Sequence, residues 1–276
     1  MASSSNPTKR RRGKELVTEP AAKYDAYRFK SLHPQQLFHD HVASKATIPD
    51  TKFQLAEGDY PKINHQITLR GWKRLCKPRK EVGCSLVREF YTNARLGVEV
   101  SFNMDRTRKV LKIGEQIGAD MSYRRHMILE YQDLDSVIRD LCVPTAQWTI
   151  GAGGAPLHLK RHDLLPIPRG WHEFIIHLIL PSQNKFEVTL KRGVLIHSIM
   201  KSQEVRVEKL IEETMWEIVA TLHLDKPLLA FPSIIYCLCI ATKVPLEPDM
   251  PVPVARPIIA VVMGNVRLPC QQAHQP

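Results

Sequence analysis

The chain has 276 residues, 43% of them hydrophobic and 24% charged, and a formal net charge of +11. That length and apolar share support a sizeable core and exclude a wholly disordered chain, while 13 Gly against 20 Pro exclude a collagen-like repeat. Two acid-free segments, residues 1–14 and 61–80, together carry more positive charge than the whole chain, so the remainder is nearly neutral and an anionic partner should meet those segments first.

Residues 1–30 show no sustained period and read as a disordered basic arm. Its cluster Lys9, Arg10, Arg11, Arg12 and Lys14 has no apolar run behind it, so it is not a secretory signal. It reads as a nuclear-localisation cluster, with an import receptor as partner and the nucleus, otherwise the cytoplasm, as compartment. Six cysteines without a C-x-x-C pair suit a reducing compartment. The longest strongly apolar stretch, residues 228–241, is about 14 residues and carries Pro232, too short to span a bilayer. No membrane partner is expected.

The apolar pattern begins at Leu32. Leu37, Phe38, His41 and Val42 lie at helical spacing, with Ser31 as the N-cap ahead of Pro34. A second helix is expected over 63–75, marked by Ile67, Trp72 and Leu75 and ended by Pro78. Leu86, Phe90 and Ala94 recur every four residues and place an amphipathic helix over 84–95. Val98, Val100 and Phe102 alternate as in a short strand over 96–102.

Leu134, Val137, Ile138 and Leu141 mark a helix that stops before Pro144, and Gly151, Gly153, Gly154 and Pro156 form a loop. Trp171, Phe174, Ile175 and Leu178 share a helical face that ends by Pro181. A brief extended piece over 186–190 leads into a helix carrying Val194, Leu195, Ile199 and Met200. The next helix has a broad stripe of Leu210, Ile211, Met215, Ile218, Val219 and Leu222, with Glu208, Glu212 and Glu213 on its wet side. Residues 231–240 should be a buried helix starting at Pro232, an allowed first-turn position. The density of proline after Val244 makes residues 246–276 a tail without a compact element. The fold class is mainly α: one irregular helical domain over 31–245 with a few short strands, between the arm and the tail.

Several blocks in order carry a resemblance. They are Trp72-x-x-Leu75 with Pro78, residues 86–94 (LVREFYTNA), His162-Asp163-Leu164-Leu165-Pro166, and Trp171-His172-Glu173-Phe174-Ile175. Leu180-Pro181, Val188-Thr189-Leu190, Ile199-Met200 and Phe231-Pro232-Ser233-Ile234-Ile235 with Leu238-Cys239 follow. The chain resembles the plant transposon protein domain family of plant retroelement-derived reading frames. Gln183-Asn184 stands where relatives show a histidine, and Lys201-Ser202 where they often show glycine. The resemblance implies a mostly helical domain of mobile-element origin and supplies no catalytic residues.

Enzymatic chemistry finds little footing in the residues. A metal-dependent transposase or nuclease needs converging carboxylates; the candidates Asp133, Asp135, Glu212 and Glu213 read as solvated helix faces. His39-x-His41 and Cys237-x-Cys239 point to different helix faces, and Cys76 and Cys84 are too far apart for a zinc knuckle. The glycine loop lacks the Gly-Lys-Ser/Thr of a phosphate cradle, and neither Ser85 nor Ser233 lies in a G-x-S-x-G elbow. No catalytic residue, metal or cofactor is assigned.

Nucleic acid remains as a partner. Arg70, Lys73, Arg74, Lys77, Arg79 and Lys80 surround Trp72 and could neutralise phosphates without a base-reading motif. Trp72 itself reads as a core anchor rather than a stacking platform. The expected function is a non-enzymatic, mobile-element-derived interaction or assembly protein with weak, non-specific nucleic-acid binding. The alternative is a degenerate metal-dependent transposase or nuclease-like protein. Oligomeric state is not legible.

Overall fold

The computed structural model describes residues 25–55, 60–79, 82–94, 100, 102–114, 133–224 and 228–246, and the backbone of 255–258. The cluster Lys9, Arg10, Arg11, Arg12 and Lys14, expected to direct nuclear import, and Lys80 of the second basic segment lie outside the described residues. So does most of the strand expected over 96–102.

Ordered packing starts before the expected arm ends. Phe29 is buried and tilts against Phe38 at 5.3 Å, while Arg28 Nε donates to Glu89 Oε1 at 2.8 Å and Asn93 Nδ2 to Arg28 O at 3.0 Å. Helix α1, Leu32–Leu37, has Ser31 at its N-cap with extended backbone, although the hydroxyl makes no capping bond. It runs on as a π-helical turn, Phe38–Val42, that leaves His39 and His41 exposed.

The helix expected over 63–75 is two pieces. Helix α2, Pro61–Leu69, starts on a proline already set for the first turn. It stops because Gly71 takes φ +68°, a left-handed conformation that glycine adopts without a Cβ penalty. A 3-10 turn, Trp72–Arg74, follows and sends Trp72 into the core at 0% exposure. Trp72 stacks on Phe174 at 5.8 Å and meets Trp171 edge-on at 6.4 Å. Phe53 meets Phe174 edge-on at 5.1 Å.

Helix α3 is Cys84–Ala94, whose Val87, Phe90, Tyr91 and Ala94 are buried as the spacing requires. Helix α4, Met104–Leu111, is an element the periodicity did not reveal; Asn103 caps it by accepting from Arg106 N at 3.0 Å. Helix α5, Leu134–Leu141, is capped in the same way by Asp133 on Ser136 N. Helices α6, Pro166–Leu178, α7, Leu190–Met200, α8, Val207–Ala220, and α9, Pro232–Ala241, follow the expected stripes. Glu208 departs from them: it is buried, at 5% exposure, rather than on the wet face of α8. It sits in the first turn, where the free N–H groups favour an acid, with Arg206 and Arg108 nearby.

Strand β1, Thr51–Phe53, pairs in parallel with β5, Ala255–Ile258. The proline-rich tail therefore contributes a strand, against expectation. Backbone pairing at a sheet edge tolerates proline, which a helix interior does not. Strands β2, Thr149–Ile150, β3, Pro156–Lys160, and β4, Glu187–Thr189, form an antiparallel sheet in the order β2-β3-β4. The glycine loop is the turn between β2 and β3, and Gly154 N–H closes it on Gly151 O at 3.0 Å.

The molecule is organised in two neighbourhoods joined through one apolar core. Helices α5 and α6 pack on α7, which also covers the three-stranded sheet; α3 and α4 pack on α8 and α9. Helix α2 and strand β1 lean on α6. No helix among the described residues is long and apolar enough to cross a membrane.

Candidate nucleic-acid interface

The second basic segment divides by burial. Arg70 is 8% exposed and belongs to the interior, which removes it from the expected binding set. Its Nε donates to Gln66 Oε1 at 2.9 Å, an Nη to Gln203 O at 2.7 Å, and its guanidinium lies 5.2 Å from the Trp72 ring. Burial pulls its pKa below the ordinary arginine value, with Glu204 acting in the opposite sense. A planar, always-charged fork suits such a site because it satisfies two acceptors while lying against an aromatic face.

Beyond Gly71 the segment alternates between core and solvent. Trp72, Leu75 and Cys76 are buried; burial pushes the Cys76 thiol up to about 12. Lys73, Lys77 and Arg79 are exposed, and Arg74 is half-buried. The turn therefore carries four accessible cations on a backbone anchored by its own apolar residues. Cys76 O also accepts from Phe53 N at 3.2 Å, which ties the turn to β1.

Three of these cations border a cleft of about 180 Å³ between the turn and the head of α9. Arg74, Lys77 and Arg79 form its basic side, and Leu75, Leu111, Leu178 and Ile234 its apolar walls. The head of α9 is built in three steps. Phe231 takes φ +60°, Pro232 occupies the first turn, and Ser233 N donates to Asp50 Oδ2 at 2.7 Å. Asp50 reaches that position because residues 46–48 run beside Leu229, with Leu229 N donating to Ala46 O and Ile48 N to Leu229 O. Desolvation raises the Asp50 carboxyl above the usual carboxylate range, with the Ser233 bonds opposing the shift.

Ser233 also accepts from Arg79 N at 2.8 Å, so helix and basic turn are stitched at one hydroxyl. Ser233 thus lies in the first turn of α9. The Arg79 guanidinium lies 5.2 Å from the Tyr236 ring, one turn further along α9. His177 closes another side; its Nδ1 donates to Glu173 O at 2.8 Å, and burial lowers its pKa. Cys237, half-buried, lies on the cleft wall, while Cys239 is buried and pushed up to about 12. Asp50, His177, Tyr236 and Cys237 come from distant parts of the chain, and no local spacing marks them as companions of the basic turn.

The other candidates scatter. Asp133 caps α5 and Asp135 is exposed on its first turn; Glu212 accepts from Met104 N at 3.1 Å and from Lys209 Nζ at 3.0 Å. Glu213 is half-buried on α8 and Cys84 half-buried at the start of α3. No group of three His, Cys, Asp or Glu able to hold a metal ion occurs among the described residues.

No curated protein and no solved structure matches the chain. A family match does: residues 68–245 fit the family described as "Putative plant retrotransposon-related domain". The match begins just before Gly71 and runs past α9, so it takes in the basic turn and the head of α9, with Asp50 lying outside it. It spans well over half of the chain and agrees with the ordered blocks read from the residues. The chain belongs to this plant retrotransposon-related family.

Proposed function

We propose that this mobile-element-derived domain is a non-enzymatic interaction module that binds nucleic acid, weakly and without sequence preference, through Lys73, Arg74, Lys77 and Arg79, with Lys80 next in the chain. The observation that supports this reading is the division of the basic segment. Arg70 is consumed by internal contacts, whereas three of the following cations face solvent on a turn held rigid by Trp72 and Leu75. Cations held by a fixed backbone meet phosphates with less ordering cost than cations on a mobile tail. Filter-binding titrations of mixed DNA and RNA against a salt series test it. Changing Lys73, Arg74, Lys77, Arg79 and Lys80 together to glutamine should abolish retention at low salt; equal retention overturns the assignment.

The arm cluster Lys9, Arg10, Arg11, Arg12 and Lys14 acts, in the same proposal, as the nuclear-import signal that brings the module to nucleic acid. A fluorescent fusion with these five made neutral should lose nuclear accumulation. An unchanged distribution sinks that assignment.

A further inference from the structure

The basic turn does more than present charge: it forms one lip of a cleft. We propose that the cleft seats a single unstacked nucleobase of single-stranded nucleic acid, with the neighbouring phosphates on Arg74, Lys77 and Arg79. This rests on the nucleic-acid reading above and adds the form of nucleic acid that the site takes.

Three observations carry it. The first is size: about 180 Å³ is below the roughly 300 Å³ at which drug-sized pockets begin, so the cleft has room for one ring system and not for a base pair. The second is the distribution of chemistry. Leu75, Leu111, Leu178 and Ile234 supply apolar walls for the faces of a ring, and the cations line one side, where a phosphodiester would run.

The third is the carboxyl of Asp50 among the lining groups, fixed at the head of α9 by Ser233 N. An acidic peptide that inserted an aspartate or glutamate would bring a second carboxylate against it. A nucleobase brings neutral N–H donors, which a carboxyl accepts, and keeps its charge outside on the phosphates. Arg79, whose guanidinium lies 5.2 Å from the Tyr236 ring, offers the base or its phosphate a cation beside the cleft.

Fluorescence anisotropy of the full chain tests this with four probes: a short mixed-sequence single-stranded DNA, the same strand with abasic sites, the corresponding duplex, and a poly-glutamate peptide. The intact single strand should bind roughly tenfold tighter than the abasic strand or the duplex, the gain expected from enclosing one base. Cys237→Phe, which fills the cleft from its half-buried wall, should bring the intact strand down to the affinity of the abasic strand. Equal binding of intact strand, abasic strand and duplex overturns the base seat and leaves the charge-based reading standing. Failure to bind any nucleic acid, or preference for poly-glutamate, overturns both. Should Cys237→Phe not fold, the abasic comparison on the wild type decides alone.

Discussion

Arg70 and Lys73 are three residues apart in one basic run, yet one is a core residue and the other a surface cation. The difference lies in what each side chain can reach. Arg70 finds Gln66 one helical turn back, Gln203 across the molecule and the face of Trp72; Lys73 lies on the opposite side of the Gly71 break. Arg70→Met should therefore destabilise the fold by about 1–3 kcal/mol, the cost of losing two charge-assisted hydrogen bonds in a mostly buried setting. Chemical denaturation checks this, and the folded fraction should bind nucleic acid as the wild type does. His172 gives a second residue-scale expectation. It is fully buried, and desolvation together with Arg192 and Arg161 lowers its pKa to about 3. Between the unfolded value near 6.5 and about 3, the unfolded chain binds a proton that the folded chain refuses. Stability is thus intact above about pH 6.5 and falls as pH drops, by at most about 1.4 kcal/mol per pH unit from this group. Denaturation of wild type and His172→Leu over that range should show the steeper loss in the wild type; parallel profiles would refute it.

The elements show where residue patterns suffice and where they do not. Helices α3, α6 and α8 were legible because each buries a stripe whose period is visible in sequence, and α9 because a nearly all-apolar run follows Pro232. Trp72 and Leu75 were legible as core residues, but not the break between them and α2, because Gly71 inside an apolar pattern does not announce its φ. Gly71→Ala should cost about 1–2 kcal/mol through backbone conformation alone, since an added Cβ meets nothing closer than 4.0 Å. A urea unfolding midpoint measures it; no change would mean that the turn tolerates a different path. Helix α4 was missed because, of its eight residues, only Thr107 and Leu111 are buried, too few for a stripe. Strand β5 was missed because parallel pairing with β1 joins segments some 200 residues apart, and proline content argues against a strand there.

On the scale of the molecule, the +11 resolves into the basic cluster of residues 9–14, one buried arginine and a cation-bearing turn on a nearly neutral helical body. The basic side of the candidate interface was readable as a charge cluster. Its other side, Asp50, His177, Tyr236 and Cys237, exists only once the turn meets the head of α9. The family relationship places the domain in the plant retrotransposon-related group, and the chemistry of the turn gives that domain a specific surface to test. The most direct measurement is the salt dependence of duplex DNA binding for the wild type and for Lys73, Lys77 and Arg79 together changed to glutamine. Every cation–phosphate pairing that is removed should lower the slope of log K against log salt by about 0.9, so the triple variant should fall by roughly 2–3. A slope that does not move would place the nucleic-acid interface elsewhere and contradict the account.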